Sequence, residues 1–346
     1  MTGEHKTLPR SEVISVLASQ KLEFEVLESS ARVLRLRVPD PRLVADVLAE
    51  RAGRVKLVIK ELLYLREVTR GGLVNALSRV DFGFLRGKRF FVRVRRVGDR
   101  ACPLSSPEVE ALVGEWAVRE CPSCRVDFDK ADLVLAGILE GRSLSLGVLL
   151  AESRRGALLA RGTKSRPFVL PCALDVLTAR SMVNLAKVPA GGLVLDPFAG
   201  TGGILIEAGA LGYEAIGVEV VRDIARGCRE NLRAILGASA PWDLVQADSL
   251  LPPFREEVAD AVVTDPPYGR SSKTLGREPL GIICSFIEKS RELLKKGGRL
   301  VVLYPSQCSR AVLRKLEECG FRVEEIHAVR VHGGLTRELV VAVREE

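Results

Sequence analysis

The sequence predicts an α/β protein in which a smaller α+β region precedes a doubly wound parallel sheet. Strand-like and helix-like patterns alternate from about residue 171 to the end of the chain, and this alternation is typical of parallel strands joined by helices. The chain has 346 residues, more than the roughly 100 to 200 of an average domain. We therefore expect two hydrophobic cores.

The composition favours a globular protein without a membrane span. Apolar residues make up 47% of the chain and charged residues 28%, a balance that can bury a core. The most apolar long stretch, residues 131–151, is interrupted by Glu140, Gly141 and Arg142. It is therefore shorter than the roughly 20 apolar residues that cross a bilayer. The first residues carry charges, and no apolar run of a secretory signal follows them, so we expect a cytoplasmic location.

The positive charge of the chain lies in its first half. Residues 1–170 contain 30 Lys and Arg against 21 Asp and Glu, whereas residues 171–346 contain 22 against 23. The first half thus carries the whole net excess of +8. A basic module beside a near-neutral one suggests that the first half binds a polyanion through its phosphates. A solvated basic surface is the simpler alternative.

The scarcity of Asn, Gln and Met indicates a thermophilic protein, because these residues are heat-labile. Intracellular proteins of hyperthermophiles can also keep disulfides, so the redox state of the eight cysteines is open. Cys121 and Cys124 form a Cys-x-x-Cys pair with Cys102 nearby, but the histidines that could complete a zinc site are far away in the sequence. We predict no metal site; a disulfide and buried thiols are both compatible with this pattern.

Two small α+β segments are predicted in the first half. Residues 1–60 form a ferredoxin-like layer, and residues 61–152 contain a basic strand, a capped helix and a closing hairpin. The second segment resembles the THUMP domain, an RNA-binding module of tRNA-modifying enzymes. Its basic strand alternates arginines with apolar residues, and an aromatic residue lies among the arginines, which suits phosphate and stacking contacts. The candidate RNA contacts on this strand are Arg93, Arg95 and Arg96.

A basic linker, residues 153–170, leads to the larger domain at 171–346. The predicted strands of that domain are residues 193–196, 215–219, 244–247, 259–264 and 299–304. Helices are predicted after the first two strands and at 280–294 and 309–319. A terminal hairpin, residues 321–331 and 338–343, ends the sheet.

The strongest local signal is the run 193–203, an apolar strand that ends in an acid and continues into a glycine-rich turn. Glycine lets the backbone approach a ligand at the carboxyl end of the strand, where open α/β sheets bind cofactors. The run matches neither dinucleotide nor phosphate-loop fingerprints. It resembles motif I of the amino-methyltransferases, which implies that it holds the methionine part of S-adenosylmethionine. The implied ligands are Asp196, Phe198, Gly200, Thr201 and Gly202.

Two further acids follow the next strands. Glu219 lies about twenty residues beyond the loop, where a carboxylate can accept hydrogen bonds from a ribose diol. Asp248 lies at the same edge and suits the adenine amino group, although an Asp at the end of a strand is often only a helix cap. We predict that both bind the cofactor.

The fourth strand ends in Asp265-Pro266-Pro267-Tyr268-Gly269, which resembles the Asp-Pro-Pro-Tyr motif of enzymes that methylate exocyclic amines. An aryl amine is a weak nucleophile, so hydrogen bonds from its NH2 group to the Asp265 carboxylate and the Pro266 carbonyl favour a tetrahedral nitrogen. Tyr268 offers a face on which an extruded base can stack. We predict these three residues to be catalytic, in a direct methyl transfer without a covalent cysteine.

The two motifs lie 69 residues apart, on strands that neighbour each other in the class I, Rossmann-like methyltransferase fold. With the THUMP-like region before it, the chain resembles the archaeal and eukaryotic tRNA guanine-N2 methyltransferases. The resemblance implies tRNA as partner, and N2 of guanine at position 10, with one or two methyl groups, or at position 6 as target. Further phosphate contacts are expected from Lys164, Arg166 and Arg270.

Other functions share part of these signals. A DNA or rRNA amino-methyltransferase has both motifs, but a DNA enzyme normally carries a target-recognition region. A tRNA thiolation enzyme also uses a THUMP domain, but it needs a Ser-Gly-Gly loop that this sequence lacks. A non-catalytic RNA-binding protein is disfavoured by the intact acids. The sequence is compatible with a monomer and with a homodimer.

Overall fold

The structure, a computed structural model, describes residues 7–98, 101–267, 278–332 and 335–345. Contacts divide the chain into two units. The described residues within 23–50 and 55–153 belong to unit 1, and those within 7–22, 51–54 and 154–345 belong to unit 2. The segments 7–22 and 51–54, which the sequence places in an N-terminal layer, thus group with the larger unit.

Helices and strands alternate along the chain, and no described helix is both long and apolar enough to cross a membrane. The described helices are α1 (Leu8–Ser19), α2 (Pro41–Arg51), α3 (Arg70–Leu77), α4 (Ser106–Glu120), α5 (Arg155–Leu159), α6 (Val176–Leu185), α7 (Gly203–Ala210), α8 (Arg222–Leu236), α9 (Pro279–Leu293) and α10 (Ser309–Glu318). The described strands are β1 (Glu25–Ser29), β2 (Leu34–Arg37), β3 (Leu57–Leu65), β4 (Arg89–Val97), β5 (Arg125–Val126), β6 (Leu133–Glu140), β7 (Ser143–Glu152), β8 (Leu193–Asp196), β9 (Glu214–Val218), β10 (Trp242–Val245), β11 (Ala259–Thr264), β12 (Leu294–Pro305), β13 (Phe321–His332) and β14 (Leu335–Arg344).

Unit 1 is built on a five-stranded sheet in the order β3-β7-β6-β4-β5, and β1 pairs with β2 separately. Strand β4 runs parallel to β5 and β6, whereas β7 is antiparallel to both of its neighbours. Helices α3 and α4 cover one face, where Leu73, Val113 and Phe90 belong to one buried core. Because side chains alternate along a strand, Arg93 and Arg95 of β4 lie on the opposite face and are exposed.

Helix α4 begins with the capping box that the sequence indicates. The Ser105 hydroxyl accepts a hydrogen bond from the Glu108 N–H at 3.4 Å, and the Glu108 carboxylate accepts one from the Ser105 N–H at 2.7 Å. These contacts satisfy two N–H groups that would otherwise lack partners at the helix start. The helix therefore begins at a residue that the sequence specifies locally.

The three cysteines near α4 lie in the core of unit 1. Cys102, Cys121 and Cys124 are free thiols and are buried among apolar side chains. Burial raises the pKa of the Cys124 thiol, which keeps it in the neutral form that an apolar core favours. These cysteines act as small apolar side chains in the structure.

Unit 2 is built on a seven-stranded sheet in the order β10-β9-β8-β11-β12-β14-β13. The first five strands of this order are parallel, and β14 runs antiparallel to both β12 and β13. Helices α6, α7 and α8 cover one face and α9 and α10 the other. The predicted doubly wound sheet with a terminal hairpin is confirmed.

The strand order reverses between β8 and β11. These strands are parallel neighbours, with Val194 opposite Ala261 and Leu195 opposite Val262. The chain leaves their carboxyl ends toward opposite sides of the sheet, so the following loops diverge and leave a crevice. Motif I and residues 265–267, the described start of the Asp-Pro-Pro-Tyr run, meet at this crevice, as the sequence predicts.

Helix α1, which sequence patterns did not reveal, is held in unit 2 by one buried carboxylate. Glu12 is fully buried, and its Oε1 accepts hydrogen bonds from the Gly53 N–H and the Asn184 amide at 3.0 Å each. The Ser181 hydroxyl donates to Oε1 at 3.2 Å, and the Arg54 N–H donates to Oε2 at 2.9 Å. Four donors offset the cost of burying this charge. Glu12 thereby ties α1 and residues 51–54 to helix α6.

Candidate active site

Four acidic side chains gather at the carboxyl edge of the sheet in unit 2, and all four line one cavity of about 240 Å³. They are Asp196 at the end of β8, Glu219 after β9, Asp248 after β10 and Asp265 after β11. Parallel strands end at the same edge, so acids that are distant in sequence become neighbours here. The structure brings together the acidic residues that the sequence predicts for this site.

Asp196 is almost completely buried, with 1% of its surface exposed. Its Oδ1 accepts hydrogen bonds from the Thr264 hydroxyl at 2.8 Å and from the Phe198 N–H at 3.2 Å. Burial raises the pKa of the Asp196 carboxyl to about 7; the two hydrogen bonds oppose this rise, and the charges of Asp265 and Glu219 add to it. A cation that binds beside Asp196 would offset the cost of its ionised form.

The loop after β8 needs glycine at two positions. Gly200 and Gly202 have φ angles of 51° and 81°, in the left-handed region that favours glycine. A Cβ atom at Gly202 would also lie only 2.9 Å from the Cys228 sulfur. Phe198 of the same loop lines the cavity and packs edge-on against Phe286, with ring centres 5.2 Å apart. The loop backbone can therefore approach a ligand closely while Phe198 anchors it.

Asn231 supports this loop from helix α8, a role that sequence patterns did not reveal. It is fully buried, and its amide nitrogen donates to the carbonyl oxygens of Thr201 at 2.9 Å and Phe168 at 2.8 Å. Its amide oxygen accepts from the Phe168 N–H at 2.9 Å. One side chain thus fixes both motif I and the segment before it. The sequence does offer one signal for Asn231: asparagine is scarce in this chain, and Asn231 is one of only three.

Backbone N–H groups orient the two acids after β9 and β10. The Glu219 carboxylate accepts from the Gly200 N–H at 3.1 Å and from the Val221 N–H at 2.9 Å. The Asp248 carboxylate accepts from the Leu250 N–H at 3.0 Å. The contact with Gly200 ties Glu219 to motif I, so both parts of the site keep a fixed spacing.

Asp265 begins the turn after β11. Its Oδ2 accepts a hydrogen bond from Arg337 Nη1 at 3.0 Å, in an ion pair whose side chains are 15% and 11% exposed. Pro266 is buried, and Pro267 lines the cavity. The other predicted members of this region, Tyr268 and Arg270, lie outside the described residues.

The cavity walls fit S-adenosylmethionine. Asp196 suits the ammonium group of the cofactor, Glu219 suits its ribose hydroxyls and Asp248 its adenine amino group. Apolar side chains beside these acids, including Ile224 and Leu250, suit the flat faces of adenine. The cavity is rich in carboxylates, which suits a cofactor that carries a sulfonium and an ammonium group.

The arginines predicted on the basic strand do not share one environment. Arg93 and Arg95 are exposed on the same face of β4, and Arg95 pairs with Glu152 at 3.0 Å. Arg96 points to the other side and donates to the Leu104 carbonyl oxygen. Strand alternation thus places Arg96 on the face of β4 opposite Arg93 and Arg95, where it is partly buried.

The two basic residues predicted before motif I also differ. Lys164 is exposed. Arg166 is only 6% exposed, and its Nε donates to the Arg161 carbonyl oxygen at 3.0 Å. Its guanidinium also lies close to Gly203, at the start of α7. The guanidinium is thus buried within unit 2, in contrast to the exposed Lys164.

Comparisons with known proteins agree with this geometry. Residues 163–338 match the UPF0020 family, described as the RMKL-like methyltransferase domain. The chain is 30% identical to the tRNA (guanine(10)-N2)-dimethyltransferase of Methanothermobacter thermautotrophicus, over 99% of this chain and 98% of that protein. It is also 30% identical to the tRNA (guanine(6)-N2)-methyltransferase of Thermus thermophilus, with 92% of each protein covered.

The crystal structure of TrmN from Thermus thermophilus shares the fold, with a TM-score of 0.56 and 24% sequence identity over 99% of this chain and 98% of that chain. The predicted fold class, a Rossmann-like methyltransferase domain after a smaller region, is confirmed. S-adenosylmethionine is the cofactor of this enzyme class. The chain therefore belongs to the S-adenosylmethionine-dependent RMKL-like methyltransferase family, together with the tRNA guanine-N2 methyltransferases that match it along nearly their whole length.

Proposed function

We propose that this chain methylates the exocyclic N2 amino group of a guanosine in tRNA. The observation that carries the proposal is the turn at Asp265, which borders the same cavity as Asp196. A carboxylate at this place can accept a hydrogen bond from an aromatic amine beside the cofactor. The names of the two relatives aligned over more than nine tenths of the chain support the same substrate.

The acceptor side of the reaction would depend on three residues. The Asp265 carboxylate and the Pro266 carbonyl oxygen would accept hydrogen bonds from the two N–H groups of the guanine amine. These bonds localise the nitrogen lone pair, which otherwise delocalises into the ring. Tyr268 follows in the sequence and offers an aromatic face to an extruded base. Asp265, Pro266 and Tyr268 are thus the proposed catalytic residues.

The transfer would be a direct displacement. S-adenosylmethionine, when bound, supplies an electrophilic methyl group on a sulfonium centre. The nitrogen–carbon bond forms as the carbon–sulfur bond breaks, and the electron pair of that bond stays on sulfur. The methylated nitrogen then loses one proton, for which the Asp265 carboxylate is a nearby acceptor. The chain contributes mainly by positioning the two reactants.

Position 10 is the favoured target. The relative covered over 99% of this chain acts at guanine 10 as a dimethyltransferase, so a second methyl addition to the same nitrogen is part of the proposal. Position 6 is the second candidate, because the Thermus thermophilus enzyme of that specificity aligns over 92% of this chain.

Unit 1 would bind the tRNA as a THUMP-type domain. Arg93 and Arg95 are exposed side by side on one sheet face of this unit. The Phe91 and Phe128 rings lie together near Arg93, with ring centres 5.7 Å apart. Arginines beside exposed aromatic rings suit contacts with phosphates and unpaired bases.

The proposed role of Asp265 as hydrogen-bond acceptor for the guanine amine predicts which variant loses activity. The wild-type protein should transfer labelled methyl from S-adenosylmethionine to guanine 10 of an unmodified tRNA transcript, mapped by mass spectrometry. Asp265→Ala should lower kcat by at least about a hundredfold, because the amine loses its acceptor. Asp243→Ala, which removes an exposed acid from β10, is the matched control and should keep full activity. Labelled methyl at guanine 6 would mean that position 6 is the target. If no tRNA is labelled, the assignment of tRNA as the substrate is refuted.

Cofactor affinity should depend on pH through Asp196. Its pKa of about 7 means that the carboxyl must lose a proton before it pairs with the cofactor ammonium group. The dissociation constant of S-adenosylmethionine should therefore fall roughly tenfold between about pH 5.5 and 7.0, with release of about one proton at the lower pH. Calorimetry in buffers of different ionisation enthalpy measures both quantities. Asp196→Asn should show little pH dependence; an equally flat wild-type profile would contradict the assignment.

The RNA-binding role of unit 1 predicts a change in salt dependence. The double variant Arg93→Ala/Arg95→Ala should bind tRNA more weakly and should reduce the slope of log affinity against log salt by about 0.7 to 0.9 for each lost phosphate contact. Arg119→Ala, on the helix that covers the other sheet face, removes one positive charge where the double variant removes two, and it should change the slope by less than half as much. Equal slopes for all three proteins would place the tRNA elsewhere.

A further inference from the structure

Arg337 reaches the acceptor side of the site from the last strand of the sheet. Its Nη1 lies 3.0 Å from Asp265 Oδ2, and both side chains are more than four-fifths buried. The two residues are 72 positions apart in the sequence. No sequence motif of the site includes Arg337, so its contact with Asp265 is visible only in the folded chain.

Sheet register explains how this contact arises. Strand β14 is separated from β11 by β12, and Arg337 lies opposite Pro305, the last residue of β12. On the other side of β12, Thr264 lies opposite Val302. Arg337 therefore lies closer than Thr264 to the edge of the sheet where the parallel strands end. From there its long side chain can pass over the end of β12 to Asp265. Leu339 and Val341, which share its side of β14, pack in the core between the sheet and helices α6 to α8.

We propose that Arg337 is the positioning residue that holds Asp265 ionised and correctly oriented to accept the amino group of the target base. This inference rests on the proposed function of Asp265. Asp196 also borders the cavity and carries the same charge as Asp265, so it makes a second negative charge nearby costly. Arg337 supplies the opposite charge, and a guanidinium fixes the direction of a carboxylate better than a flexible ammonium does.

The pair has a direct chemical consequence. A protonated Asp265 would present an O–H donor to an amine that needs an acceptor, and it could not take up the proton released after methyl transfer. Arg337 makes protonation of Asp265 less favourable. The ion pair engages Oδ2 through one hydrogen bond, which restricts how far the carboxylate can turn away from the cavity.

The same strand offers a matched control. Arg344 of β14 pairs with Glu257 at 2.9 Å, and its own side chain is 13% exposed. Arg344 also donates to the Leu294 carbonyl oxygen at the first residue of β12, so it lies at the opposite edge of the sheet from the cavity. Arg344→Ala removes a partly buried arginine of β14 without touching Asp265.

The kinetic test compares Arg337→Ala, Arg337→Lys and Arg344→Ala with the wild type. We expect Arg337→Ala to lower kcat by about tenfold to a hundredfold, while KM for tRNA and the affinity for S-adenosylmethionine change less than about twofold. Arg337→Lys should recover part of kcat, and Arg344→Ala should keep it. Unchanged kcat in Arg337→Ala would overturn the proposal, as would parallel losses of kcat, cofactor affinity and Tm, which indicate a purely structural role.

A second measurement does not depend on turnover. In protein labelled with carboxyl-¹³C aspartate, the Asp265 signal, assigned with Asp265→Asn, should titrate at least about one pH unit higher in Arg337→Ala than in the wild type. Equal titration in both proteins would overturn the proposal even if tRNA is methylated. If the wild type methylates no tRNA but the titration shifts, the substrate assignment fails and the control of Asp265 by Arg337 stands.

Discussion

The hydrogen bond from the Thr264 hydroxyl to Asp196 joins the two halves of the site. It spans 2.8 Å between residues that are 68 positions apart, and both residues are buried. Thr264 is the last residue of β11, so the residue after it is Asp265. One contact therefore couples the acid that would face the cofactor to the turn that would face the base. The reversal of strand order between β8 and β11 is what makes this contact geometrically available.

Grouping and burying these carboxylates costs free energy when no ligand is bound. Four carboxylates border one cavity, and burial alone makes the ionised form of Asp196 unfavourable. Several groups offset this cost: the N–H groups that orient Glu219, the Thr264 hydroxyl and the Arg337 guanidinium. A cofactor with positive charge lowers the remaining cost. The excess of acids is thus part of how the site selects S-adenosylmethionine, since an anionic ligand would meet repulsion there.

Local sequence signals predicted the parts of the structure that depend on neighbouring residues. The capping box at Ser105 and the strand before motif I follow from patterns within a few residues, and the doubly wound sheet follows from the alternation of such local patterns along the chain. The contacts that sequence patterns could not show join distant residues. Glu12 meets Asn184 across 172 positions, and Arg337 meets Asp265 across 72. The burial of Arg166 was likewise not evident from the sequence, because its guanidinium lies close to Gly203, 37 positions further along the chain.

Measuring kcat and cofactor affinity of the Thr264→Val variant tests most directly whether the cofactor side and the acceptor side of the site are coupled. Valine keeps the shape and the strand preference of threonine but cannot donate a hydrogen bond. Loss of the hydrogen bond from Thr264 should raise the pKa of Asp196 further. The affinity for S-adenosylmethionine at neutral pH and kcat should therefore both fall, each by about tenfold. Thr264→Ser should restore both. Wild-type affinity and kcat in Thr264→Val would contradict the coupling of cofactor and acceptor sites through this hydroxyl.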